Sequence, residues 1–212
     1  MIHLEHMKPA DIEARSMEII ASELPHPLDP ENEAVIKRVI HTTADFDYVD
    51  NLVFTSGAVA KGIAALRGGY SIVTDTTMAQ AGINKRTLAR LGGRTVNFIA
   101  DPQVAAEAKA RGITRSAVSM EQAAALGEPL IYAIGNAPTA LIRLCELVQA
   151  EEMVPPALVI GVPVGFVNVV EAKELLLQTN VPSIVARGRK GGSNVAAAIC
   201  NALLYQAAEE RD

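Results

Sequence analysis

The amino-acid sequence predicts an α/β fold: an open, largely parallel sheet flanked by helices on both faces, a three-layer, Rossmann-like arrangement preceded by an N-terminal helical segment. Three observations support this prediction. Short β-branched runs alternate with Ala-rich helical patterns along most of the chain. Several of the runs lack the apolar and polar alternation of a half-exposed strand, which is typical of parallel strands covered on both sides. Glycine or proline separates most segments from the next.

Two helices are predicted ahead of the first strand. The first begins at Pro9, a favoured first helical position, and ends before Pro25. The second is capped by Asp29, begins at Pro30 and ends near His41. Apolar residues recur every three to four positions in both segments, so each helix is expected to bury one face.

Strands and helices then follow each other in a βαβ rhythm. The strands are predicted at Leu52–Phe54, Ser71–Thr74, Thr95–Ile99, Leu130–Ile134, Ala157–Ile160 and Ser183–Ala186. The helices are predicted at Gly57–Leu66, Pro102–Lys109, Met120–Leu126, Ala137–Gln149, Val169–Gln178 and Ser193–Ala208. No linker, repeat or low-complexity tract interrupts them, and 212 residues suit one domain or two small ones. We therefore expect a single domain over residues 1–212.

Composition and charge exclude several classes of protein. Half of the residues are hydrophobic and 20% are charged, so the chain can bury an aliphatic core and is not disordered. A net charge of −5 argues against a nucleic-acid partner. Without a long apolar run or a signal-type N-terminus, neither a membrane partner nor secretion is expected. Cys145 and Cys200 lie in apolar helical patterns without CxxC, which favours a reducing compartment, with the cytoplasm as the expected location.

Signatures of nucleotide, hydrolase and metal sites are missing. The GxGxxG, GxxxxGK[ST] and GxSxG patterns do not occur. His3 and His6 are spaced like a helical pair of ligands, but they lie in a segment expected to be extended, with no cysteine partner. Ordinary terminal polar residues are therefore the favoured interpretation, and no metal site is expected.

Polar or glycine-rich segments follow the predicted strands, and in open parallel sheets ligands bind outside the carboxyl ends of the strands. These segments are Thr55–Gly57, Asp75–Met78, Asp101–Pro102, Gly135–Pro138, Gly161–Gly165 and Arg187–Ser193. Turn geometry alone accounts for most of their glycines and prolines. In the last segment, however, Arg187, Arg189 and Lys190 accompany three glycines directly before a long helix. That segment is a candidate cradle for a carboxylate or phosphate, and a solvated basic turn is the alternative.

His41 is the candidate for proton transfer. It follows Arg38 by three residues at the end of a predicted helix, so both side chains are expected on one helical face. An imidazole gives and takes a proton near neutral pH, and a neighbouring guanidinium can hold an anionic group. Arg15 and Ser16 add a second charge and a hydroxyl in the first helix. Taken alone, each of these residues is equally well explained as a structural or surface side chain.

Six ordered blocks, taken together, resemble the precorrin-8X methylmutase family, the isomerases of corrin-ring construction in cobalamin biosynthesis. The blocks are Glu13–Ser16 with Ile19 and Ile20, Arg38–His41 with Ala44–Tyr48, Val73–Met78, Ala133–Ala140, Ile160–Asn168 with Glu171–Lys173, and Arg187–Asn194. The resemblance spans nearly the whole chain, and six blocks in order are far more specific than any one of them.

The resemblance implies a cofactor-free isomerisation in which a methyl group migrates to the adjacent carbon of the macrocycle. Precorrin-8X would become hydrogenobyrinate, or cobalt-precorrin-8 would become cobyrinate. His41 matches the family's proposed proton donor and acceptor, and Ser16 and Arg38 match its substrate-contact positions. For the many carboxylates of such a tetrapyrrole we expect further cationic contacts from Arg15, Arg187, Arg189 and Lys190. The resemblance also implies a homodimer with the site near the subunit boundary.

Two other functions stay open at this point. A corrin-binding carrier would sequester the product without catalysis, with His41 only hydrogen-bonding the ring. A nucleotide-dependent regulator would need a phosphate site at Arg187–Ser193, and the absence of its fingerprints disfavours it.

Overall fold

The computed structural model describes residues 8–209, and a six-stranded sheet forms its centre. The strands are β1 (Leu52–Phe54), β2 (Ile72–Thr74), β3 (Thr95–Val96), β4 (Ile131–Ile134), β5 (Leu158–Gly161) and β6 (Ser183–Ala186). Their order across the sheet is β1-β6-β5-β4-β2-β3. β1 runs antiparallel to β6 at one edge, and all the other neighbours are parallel. The predicted largely parallel sheet is therefore confirmed.

Helices cover both faces of this sheet. In the described part of the chain they are α1 (Pro9–Glu23), α2 (Glu33–Thr43), α3 (Tyr48–Asn51), α4 (Ala58–Arg67), α5 (Thr77–Gly82), α6 (Lys85–Arg90), α7 (Pro102–Arg111), α8 (Arg115–Ala124), α9 (Pro138–Gln149), α10 (Val169–Leu177) and α11 (Ser193–Glu209). α11 packs against α2, α4 and α5 on one side, and α9 packs against α8 and α10 on the other. None of the helices within residues 8–209 has both the length and the apolar character that a membrane crossing requires.

The core forms two apolar layers because successive strand residues point to opposite faces of the sheet. In β4, Ile131 and Ala133 belong to the layer beneath α11, whereas Tyr132 and Ile134 belong to the layer beneath α9. All four side chains are buried. This two-sided burial explains why the strand sequences are continuously apolar.

Several element boundaries differ from the sequence prediction. α2 begins at Glu33 rather than Pro30, because the Asp29 side chain accepts the Glu31 amide and residues 29–32 form a turn. α5 and α6 were not expected, since six-residue helices are too short to show a helical period. Their cap residues, Thr76 and Asn84, were the available signal, because each side chain accepts a backbone amide three residues ahead.

The expectation that Thr55–Gly57 lies at the ligand edge of the sheet is wrong. β1 is antiparallel, so its end meets the beginning of β6, where the Thr55 amide donates to the Ser183 carbonyl. Local sequence patterns do not specify strand direction, which pairing within the sheet decides. His3 and His6 lie outside the described residues.

Candidate active site

His41 lies in the last turn of α2 with its side chain exposed to solvent. The helix ends at Thr43, and Ala44 adopts a left-handed conformation (φ 52°) from which its amide donates to the Ile40 carbonyl. The opposite face of α2 is buried, so helical geometry directs His41 outward. Within residues 8–209 no group hydrogen-bonds the imidazole, and both ring nitrogens are open to a ligand.

Ser16 and His41 line the same open cavity between α1 and α2, with a volume of about 320 Å³. The other lining residues are mainly apolar: Ile19, Ile20, Glu23, Ile40, Ala44 and Phe46. The Ser16 hydroxyl donates to the Ile12 carbonyl at 2.9 Å, so its oxygen can still accept a hydrogen bond. The fold thus brings together the candidate proton-transfer residue and one candidate substrate contact.

Arg38 lies one turn before His41 and borders a neighbouring cavity of about 280 Å³. Its guanidinium pairs with Glu13 of α1 (Nη2 to Oε1, 2.7 Å) and stacks on the Tyr205 ring of α11 (5.3 Å to the centroid). The Glu13 side chain is exposed, and ion pairs of this kind contribute only about 0–1 kcal/mol. An incoming carboxylate can therefore replace Glu13 at little energetic cost.

Arg15, on the same helix as Ser16, pairs with Glu18 over one helical turn at 3.3 Å. The cations of the Arg187–Ser193 loop lie beyond the carboxyl end of β6, as expected, and each has a partner. Arg187 pairs with Glu174 at 3.1 Å, and Arg189 stacks on the Phe166 ring at 5.4 Å.

Lys190 connects this loop to the segment that follows His41. Its ammonium lies 2.6 Å from a carboxylate oxygen of Asp45 and 2.6 Å from one of Asp47. These carboxylates raise the pKa of Lys190, and the hydrogen bond from Lys190 holds the pKa of Asp45 below its ordinary value. The contacts place the cationic loop beside the end of α2.

Asp75 is a buried carboxylate that is not among the predicted site residues. It follows β2, is 1% exposed, and accepts the amides of Gly135, Asn136 and Ala137 at 2.9, 2.8 and 2.7 Å. Burial raises its pKa, while these three amides act in the opposite direction. An acidic residue directly after a wholly buried strand was the signal in the sequence. Asp75 thereby fixes the start of α9 at the carboxyl edge of the sheet.

Exposed apolar side chains lie at this edge, and one of them, Phe166, contacts Arg189. Phe166 and Val167, in the segment after β5, are 82% and 79% exposed, and Met78 after β2 is 71% exposed. Large exposed apolar side chains of this kind mark surfaces for a ligand or a protein partner. In the described part of the chain, no cluster of His, Cys, Asp or Glu is arranged to hold a metal ion.

Comparison with known proteins agrees with this architecture. The model of the CbiC, precorrin-8X methylmutase, family matches residues 11–206. The chain is 48% identical over 209 residues to a cobalt-precorrin-8 methylmutase of Salmonella typhimurium, covering 95% of this chain and 97% of that protein. It is 43% identical over 179 residues to a precorrin-8X methylmutase of Pseudomonas aeruginosa, covering 84% of each.

A solved structure described as precorrin-8x methyl mutase from Thermus thermophilus superimposes with a TM-score of 0.86 at 39% identity. The match covers 94% of this chain and 98% of that one. Sequence and fold agree along almost the whole length, and the chain belongs to the precorrin-8X methylmutase family, isomerases of cobalamin biosynthesis.

Proposed function

We propose that this protein moves a methyl group between adjacent carbons of precorrin-8X, or of cobalt-precorrin-8, to give hydrogenobyrinate or cobyrinate. Membership of the methylmutase family supports the reaction class. The observation that carries the proposal in this chain is the His41 imidazole, which has no hydrogen-bond partner among residues 8–209 and shares an apolar cavity with Ser16.

The reaction requires two contributions from the protein: orientation of the substrate and one proton transfer. As the methyl carbon leaves one ring carbon it bonds to the next, so atoms and electrons balance without an oxidant or a nucleophile. The shift requires a tautomer of the macrocycle whose double bonds are correctly placed. His41 donates and recovers the proton that selects this tautomer, a contribution of about a hundred- to ten-thousandfold in rate. Holding the ring and its flexible arms in one geometry adds to that rate.

Substrate carboxylates are bound by cationic side chains in this proposal. These are Arg15, Arg38, Arg187, Arg189 and Lys190, and Ser16 adds a hydroxyl contact. Several of these cations form ion pairs with partially exposed carboxylates of the protein. A substrate carboxylate can displace such a partner at little cost in free energy, which supports the proposal. Phe166 and Val167 supply apolar surface next to Arg189 for the ring. Replacement of any one of these cations by Ala is expected to weaken substrate affinity.

We further propose that residues 1–212 act as one domain, in a cytoplasmic homodimer whose site lies near the subunit boundary. The family match over residues 11–206 supports the single domain. The exposed Phe166, Val167 and Met78 support a second subunit near the carboxyl edge. Two buried free cysteines suit a reducing compartment.

The test follows the absorption spectrum of precorrin-8X, and separately of cobalt-precorrin-8, in excess over native protein and over His41→Ala. Pigment is extracted after denaturation, so that binding alone is not mistaken for conversion. We expect the native protein to convert one or both substrates and His41→Ala to bind without measurable turnover. Ser22→Ala is the control, because Ser22 is an exposed residue of α1 whose hydroxyl bonds the Ile19 carbonyl within that helix and which lines neither cavity.

If native protein and His41→Ala both bound the pigment and neither changed the extracted product, the methylmutase proposal would be wrong and the protein would be a corrin carrier. Conversion by His41→Ala at the native rate would remove His41 from the mechanism. Comparison of the two substrates shows which metal state the enzyme prefers.

A further inference from the structure

Lys173 is a lysine of α10 whose side chain is wholly buried, with 0% exposure. Among residues 8–209 it has no carboxylate partner, and its ammonium donates to two backbone carbonyls, those of Gly188 and Lys190, at 2.8 Å each. Burial lowers its pKa to about 8. Burying a cation without an opposite charge is costly to the folded state. A role other than stability therefore accounts better for this lysine.

The two carbonyls belong to one turn of the cationic loop. Gly188 and Lys190 flank Arg189, so the two hydrogen bonds fix the backbone on both sides of that arginine. Gly188 has a φ of 76° and Gly191 a φ of 158°, a backbone that glycine adopts without steric cost. In this turn Lys173 provides the donors for the carbonyls of Gly188 and Lys190.

The same turn leads on to the segment beside His41. While the Lys190 carbonyl accepts from Lys173, the Lys190 ammonium holds Asp45 and Asp47, which follow His41 by four and six residues. The contacts therefore run in series from the buried ammonium to the loop, and from the loop to the end of α2. None of these contacts involves the reacting atoms.

We infer that Lys173 is a positioning residue for the active site, because its buried ammonium holds the Gly188–Lys190 turn in place. With the turn held, the loop cations meet the substrate carboxylates. Lys190 in turn holds the segment after His41. The inference rests on the proposed function. It adds to that function a residue that contacts no substrate and acts through the loop.

The test begins with Lys173→Met, which keeps the aliphatic stem and removes the donor. Amide hydrogen exchange is measured on the full chain without substrate, over peptides covering residues 187–192 and 44–48. We expect protection to fall in both peptides while the thermal midpoint changes little, because the turn is exposed and water can reach the two released carbonyls. Lys61→Met is the matched control. Lys61 also donates to a backbone carbonyl, that of Ser56 at 3.2 Å, but at the opposite edge of the sheet, so its replacement leaves both peptides protected.

The second measurement separates positioning from a purely structural role. In Lys173→Met we expect KM for the corrin substrate to rise about tenfold, with kcat changing by less than about threefold, because the anion-binding groups are displaced. We also expect Lys190→Met to raise KM in the native background. In the Lys173→Met background the same substitution should raise KM little further, because both changes break one series of contacts. The affinity for the corrin product, followed by absorbance, should fall in parallel.

Unchanged exchange in the two peptides would overturn the inference whatever the activity. Lost protection with an unchanged KM, or fully additive effects of the two substitutions, would make Lys173 a structural residue only. Failure of the proposed function is distinguishable, because it is seen in native protein that does not convert the corrin, whereas the exchange measurement is made without substrate. Should Lys173→Met not fold, Lys173→Gln, which is too short to reach both loop carbonyls, decides: it must raise exchange over residues 187–192, and unchanged exchange there would overturn the inference.

Discussion

At the residue scale, Asp75 shows how one buried charge organises the edge of a sheet. Its two carboxylate oxygens accept three amides from the start of α9, and the helix begins where those amides converge. The positive end of the helix and the carboxylate stabilise each other. Because Asp75 is buried away from water, a solvent hydrogen bond cannot replace one that it loses.

Asp75→Asn is expected to lower the free energy of unfolding by about 2–3 kcal/mol. The amide side chain has one acceptor oxygen and turns an NH₂ group toward backbone donors, so at least one buried amide loses its partner. Urea unfolding measures the change. Asp101→Asn is the control, because Asp101 caps α7 through the Gln103 amide alone, and Asn is an equally good cap. Equal losses in the two variants would contradict this account.

Cys145 and Cys200 are expected to be inert in the native protein. Burial raises the pKa of each thiol to about 12, so almost no thiolate is present at pH 8. A disulfide reagent at pH 8 should react with neither thiol in the native state and with both in denaturant. Because the folded pKa values exceed the unfolded value near 9, these thiols favour folding below pH 9, and that contribution is lost as the pH rises toward 12. Rapid reaction of either native thiol would contradict the burial.

At the scale of elements, the loops beyond β4, β5 and β6 are interlocked through their backbones. A Cβ at Gly135 would lie 2.7 Å from Ser193 Cα and 2.8 Å from the Gly192 carbonyl oxygen. A Cβ at Gly191 would lie 2.2 Å from the Val162 carbonyl oxygen. These approaches are closer than real Cβ contacts allow, so only glycine lets the three loops meet. The cationic loop Arg187–Ser193 is part of this junction.

Gly135→Ala is therefore expected to cost about 3 kcal/mol, because backbone atoms of α11 cannot yield as a flexible side chain would. Gly188→Ala is the comparison, since a Cβ there meets open space and the cost is limited to about 1–2 kcal/mol for its left-handed φ of 76°. Denaturant unfolding of the two variants gives the difference. If Gly135→Ala were as stable as Gly188→Ala, the loops would not be interlocked as described.

At the scale of the whole molecule, light scattering is expected to give twice the mass of one chain. The large exposed apolar side chains at the carboxyl edge, Phe166 and Val167 among them, are the physical reason, because a second subunit would remove them from water. A dilution series, with and without corrin product, measures the strength of association. A single-chain mass at all concentrations would contradict the placement of the site near a subunit boundary.

The sequence by itself determined the fold class, the positions of the six strands, most of the long helices and the family. These follow from local properties: β-branched runs, helical periodicity, caps and ordered motifs. It also singled out His41, Ser16 and Arg38, whose proposed roles stay predictions. The structure adds that Ser16 and His41 share one cavity.

Only the tertiary structure decided the antiparallel direction of β1, the three amides on Asp75, and the series of contacts from Lys173 through Lys190 to Asp45. Lys190 and Asp45 are 145 positions apart in the chain. No local pattern encodes such a pair, because the two residues meet only after strand order and helix packing have brought their elements together.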